Sequence, residues 1–108
     1  MRIVFTTSGG FAPVASLNAP LPIDVSALPE REEKELRQLL ERTEFFELPT
    51  RCLRPHGADA RTYTITVEDE ARSHTVTLAD PVPPGDLRVL VERLRWHAVV
   101  ARRSRSGP

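Results

Sequence analysis

Lysine is nearly missing from this chain of 108 residues: of its 15 basic residues, only Lys34 is not arginine. Cysteine, methionine, tryptophan and tyrosine occur once each. The single cysteine, Cys52, excludes an intramolecular disulfide, so the fold must be held by packing alone. No apolar run approaches the roughly 20 residues needed to span a bilayer. The opening Met1-Arg2-Ile3-Val4-Phe5 reads as a strand rather than the apolar core of an export signal. The expected compartment is therefore the cytoplasm. With 15 acids balancing 15 bases, no net field draws the chain to nucleic acid or to a membrane surface.

Reactive groups are equally scarce. His56, His74 and His97 lie far apart in sequence, without the one-turn spacing and intervening glutamate of a zinc peptidase. Cys52 with His56 has ligand-like spacing, but two ligands do not make a metal site. Cys52 with His74 could be imagined as a nucleophile and base, yet nothing around Cys52 depresses a thiol pKa. Ser8-Gly9-Gly10 lacks the downstream Gly-Lys-Ser/Thr of a phosphate loop. Arg102, Arg103 and Arg105 are not interleaved with aromatics, so nucleic-acid binding is not expected. The residues predict no catalytic group, no metal and no cofactor.

What the sequence does contain is periodicity. Ile3, Val4 and Phe5 begin a strand that stops at Gly9-Gly10, where two glycines permit φ > 0 without steric cost. Pro13, Pro20 and Pro22 follow, so extended pieces at 14–17 and 22–25 can be only edge strands or interrupted ones. Pro29 and the acids Glu30, Glu32 and Glu33 suit the first turn of a helix. Leu36, Leu39 and Leu40 supply its apolar stripe, and its end is expected near Thr43 or Glu44. Phe45, Phe46 and Leu48 are expected to tuck beneath it before Pro49. Tyr63, Ile65 and Val67 alternate with threonines, as do His74, Val76 and Leu78 after a turn at 68–71, which predicts a hairpin. Asp86 can cap a second helix whose Leu87, Leu90, Val91 and Leu94 share a face, continuing through Trp96 and Val99.

The expected fold is α+β: a small antiparallel sheet of about four strands, with two amphipathic helices packed on one face. One domain is expected over residues 1–101, with a flexible basic tail at 102–108. Charge is uneven along it. Residues 24–50 hold eight acids against four bases, whereas residues 88–108 hold six arginines and the single acid Glu92.

Four segments, in this order, resemble the emfourin family. They are the first strand running into Ser8-Gly9-Gly10-Phe11-Ala12, then Asp24-Val25-Ser26-Ala27-Leu28-Pro29-Glu30, then Phe45-Phe46-Glu47-Leu48-Pro49. The fourth is the hairpin Tyr63–Val67 and Arg72–Val76, followed by Leu87 to Leu94. Emfourins are small bacterial protein inhibitors of thermolysin-like zinc metallopeptidases, so the resemblance implies a peptidase partner and no activity of the chain's own. The zinc would belong to the target, and the free inhibitor is expected to be a monomer. The segment Ser8, Gly9, Gly10, Phe11 and Ala12 is the expected contact with the cleft: two glycines allow close main-chain approach, and Phe11 offers an apolar anchor. A different role is that of a folding or secretion partner, bound to such a peptidase away from its active site.

Overall fold

The computed structural model describes residues 1–8, 20–50, 62–79, 82 and 84–105, excluding the side chains of Ser8 and residues 102–105. Four strands, β1 (Arg2–Ser8), β2 (Leu21–Asp24), β3 (Thr62–Glu68) and β4 (Ser73–Ala79), form one sheet in the order β2-β1-β3-β4. Every neighbouring pair is antiparallel. Two helices, α1 (Glu30–Arg42) and α2 (Asp86–Arg105), complete the described fold.

Alternation along each strand decides which face is covered. Phe5 lies opposite both Leu21 and Ile65, and Ile65 lies opposite Val76, so a row of apolar residues crosses all four strands. Ile3 lies likewise between Ile23 and Val67, and Tyr63 pairs with Leu78. Ile3, Phe5, Tyr63, Ile65, Val67, Val76 and Leu78 are each at most 3% exposed. Onto them pack Leu36, Leu39 and Leu40 of α1 with Leu90, Val91 and Leu94 of α2, in a single core. The rings of Phe5 and Tyr63 stack across adjacent strands with centroids 6.0 Å apart. The opposite face carries Thr6, Thr64, Thr66, Thr75 and Thr77, all half-buried. Threonine keeps the β-branched preference for strands without exposing a wide apolar surface. Thr66 and Thr75 are joined there by a hydroxyl–hydroxyl contact of 2.9 Å.

Local chemistry sets the ends of the elements. Pro22 pairs with Val4 on β2, an edge strand, where a missing N–H is tolerated. The strand closes at Asp24, one residue before the expected end, because the Ser26 N–H donates to Asp24 Oδ1 (3.1 Å) and Val25–Ala27 wind into a 3₁₀ turn. Pro29 stands just outside α1 instead of inside its first turn; its carbonyl accepts from the Glu33 N–H at 2.9 Å. At the other end Thr43 caps α1, its N–H donating to Leu39 O and its hydroxyl to Leu40 O. Glu44 then adopts φ 52°, a left-handed conformation rarely held by a residue with a Cβ. This reversal drives Phe45 into the core, where it is 1% exposed.

The segment after α1 also protects the free side of β4. His74 Nε2 lies 2.6 Å from Leu48 O, and the Thr77 N–H donates to Thr50 O at 2.7 Å. The Arg72 guanidinium sits over the Phe46 ring, 3.9 Å from its centroid. An edge strand left bare would be a template for unwanted pairing. Asp86 is the first residue of α2 rather than a cap preceding it, and Gly85, with φ 146°, makes the turn into the helix. The helix continues to Arg105, so the basic tail expected from Arg102 begins as helix.

Two substitutions test this account. Leu36→Ala, at a fully buried position, should cost about 2–5 kcal/mol in denaturant unfolding. Glu44→Val should cost about 1–2 kcal/mol through its left-handed backbone, whereas Glu44→Gly should not destabilise.

Candidate functional site

The expected binding segment grows out of the end of β1. Ser8 is the last residue of that strand and is paired with Thr62, while Thr62 pairs with Ala79. β2 begins at Leu21 opposite Phe5, so it meets the sheet near the same end. Pairing with β2 stops at Phe5↔Leu21, and Thr6, Thr7 and Ser8 continue against β3 alone among the described strands. The root of the segment is therefore a strand locked by seven register pairs to β3 and packed beneath two helices. A loop leaving such a root starts from a fixed position and direction, which lowers the entropy lost on binding. Gly9, Gly10, Phe11 and Ala12 themselves lie outside the described residues.

Among the groups considered for chemistry, His74 is put to structural use. His74 holds the Leu48 carbonyl and meets the Phe45 ring edge-on, with centroids 5.7 Å apart. Cys52 and His56 lie outside the described residues. No group of three His, Cys, Asp or Glu side chains that could hold a metal occurs among the described residues. The acids of α1 have bases beside them: Glu33, half-buried, bonds Arg37 one turn on, at 3.1 Å. Glu35 reaches across to pair with Arg93 of α2.

His97 is the one buried polar residue in the described core, only 8% exposed. Its Nε2 has no hydrogen-bond partner, and its ring lies edge-on to Trp96 at 4.9 Å. Burial pushes its pKa below the ordinary 6.5; Arg93 adds to the depression, and Glu32 and Glu35 oppose it. His97 replaces leucine in the inward stripe of α2, one turn after Leu94.

Trp96 and Val99 continue α2 as expected but do not continue its core face. Val89, Trp96, Val99 and Val100 are 45%, 44%, 37% and 39% exposed, and all the large exposed apolar side chains of the described residues lie on this one helix. The signal was present in the spacing, since Trp96 falls two residues after Leu94 and so turns well away from the inward stripe.

Helices on one face of a four-stranded antiparallel sheet, with the other face threonine-rich, define a small α+β domain. The Emfourin family model matches residues 5–95. The chain belongs to the Emfourin family, which consists of peptidase inhibitors and not of enzymes. Emfourin (M4in) from Serratia proteamaculans, described as an M4 family peptidase inhibitor, is 18% identical, with a TM-score of 0.43. That comparison covers 84% of this chain and 82% of the other. No curated protein sequence matches the chain.

The environment of His97 predicts a pH dependence. Because its pKa is lowered in the folded state, unfolded chains bind more protons as pH drops through 6.5, and stability falls with them. The stabilisation is fully present above that pH. His97→Leu should flatten the dependence of the urea midpoint between about pH 7 and pH 5. An unchanged slope would show that other groups dominate it.

Proposed function

We propose that this protein is a stoichiometric inhibitor of thermolysin-like zinc metallopeptidases that occupies the active-site cleft in competition with substrate. The observation that carries the proposal is the family match, which runs through both central strands, α1 and the segment following β1. In this reading Ser8, Gly9, Gly10, Phe11 and Ala12 enter the cleft. Glycines at 9 and 10 let the main chain approach closely, since no Cβ intervenes. Phe11 supplies the bulky apolar group that such clefts favour just after the scissile bond. The strand that ends at Ser8 is fixed by its pairing with β3, so the segment starts from a fixed point.

The inhibitor contributes no metal and no cofactor; the zinc is the peptidase's. It works in the cytoplasm, restraining a peptidase made in the same cell. A complex of this type buries about 1,600 Å² in total, an area that one end of the sheet and its connecting segments can supply.

Titration of thermolysin-like peptidases with the protein, followed by hydrolysis of a short peptide, tests the proposal. Activity should fall linearly to near zero at one equivalent. Full activity at excess inhibitor, with the complex nonetheless formed, would indicate the remote folding or secretion partner instead. Phe11→Ala should keep the unfolding midpoint and weaken inhibition by at least ~2 kcal/mol, about 30-fold. Normal inhibition by that variant would place the contact elsewhere.

A further inference from the structure

One hydrogen bond decides which main-chain groups line the free side of β2. The Val25 N–H donates to Met1 O at 3.1 Å, so Met1 and Val25 turn their polar groups toward each other. In an antiparallel ladder such hydrogen-bonded pairs alternate with pairs whose N–H and C=O groups point outward. Along this register Ile3↔Ile23 and Phe5↔Leu21 are the hydrogen-bonded pairs, while Arg2↔Asp24 and Val4↔Pro22 are not. The main-chain groups of Asp24 and Pro22 therefore point to the free side of β2, as do those of Pro20 by the same alternation. β2 is the last strand of the sheet on that side, and Pro20, Pro22 and Asp24 are all exposed.

Proline occupies two of those three positions. An open edge offers N–H and C=O groups in a row, and an incoming strand needs both. Proline donates nothing, and its ring takes the place of the missing hydrogen. Asp24 keeps its N–H, with its carboxylate held nearby by the Ser26 N–H. The pairing most available to this edge is with itself, two β2 strands of separate copies running antiparallel about position 22. Position 22 would then face 22, and position 20 would face 24. The donors at 20 and 22 are missing from both copies, which leaves only the Asp24 N–H of each.

The other edge of the sheet is protected differently. The Asp69 N–H donates to Arg72 O, so by the same alternation the groups of Thr75 and Thr77 point away from β3. Here the Thr77 N–H is taken by Thr50 O, and Leu48 O lies against His74. A covering segment occupies that edge. On β2 no described strand does so, and the donors themselves are absent.

We infer that Pro20 and Pro22 guard the sheet against strand addition, keeping a second copy of this chain from pairing through β2. This role is independent of the proposed contact with a peptidase.

Restoring the donors tests it. Pro20→Thr with Pro22→Thr puts back both N–H groups using a residue that the outward face already carries, so little apolar surface is added. Circular dichroism checks the fold, and Pro22→Thr alone replaces the double variant if that one misfolds. In sedimentation equilibrium over roughly 10 μM to 1 mM, the variant should associate at least about 10-fold more tightly than the wild type. Hydrogen exchange should show the amide restored at position 22 protected in the associated state and exposed on dilution. A variant that associates no more than the wild type overturns the inference, and so does association that leaves that amide unprotected. Concentration-dependent protection of the Asp24 amide in the wild type would overturn it as well, since the edge would then pair despite its prolines.

Discussion

Pairing of β1 with β3 joins segments about sixty residues apart, and every other element takes its position from that ladder. Once Phe5 stands opposite Ile65, the adjacent hairpin places Val76 alongside and β2 adds Leu21 on the other side. A slip of one residue would turn Ile3 and Phe5 toward the threonine face and take both out of the core. Burial fixes the register: removing a large core side chain from water is worth roughly 1.5–3 kcal/mol, and a slip would lose both inward residues of β1 together.

The helices respond to this constraint differently. α1 presents three leucines inward and charged residues outward, so its two faces have different and settled roles. α2 has an inward stripe ending at a buried histidine and an outward stripe that is partly apolar. Its length exceeds that of α1 by seven residues, and the extra turns extend past the family match.

Much of the fold was legible because period-two and period-3.6 patterns are strong where one face is buried. The β3–β4 hairpin came within one residue of its observed ends, since Tyr63, Ile65 and Val67 leave no doubt about which side points inward. Prolines obscured β2: they weaken strand propensity, and only the edge position in the finished sheet makes Pro22 acceptable. The end of α2 was hidden by its arginines, which look like a solvated tail although arginine is a good helix former. For the candidate site, sequence supplied the residues and structure supplied their root at Ser8, the end of a central strand. The identity of a target is encoded in another molecule, and no pattern in this chain displays it.

The claim that the inhibitor fills the cleft is tested most directly by competition. Binding to a thermolysin-like peptidase would be measured by calorimetry, first free and then with its zinc site saturated by a small active-site-directed ligand. Occupancy of the cleft predicts that the apparent affinity falls in proportion to the ligand concentration. Undiminished binding to the ligand-saturated peptidase would contradict it.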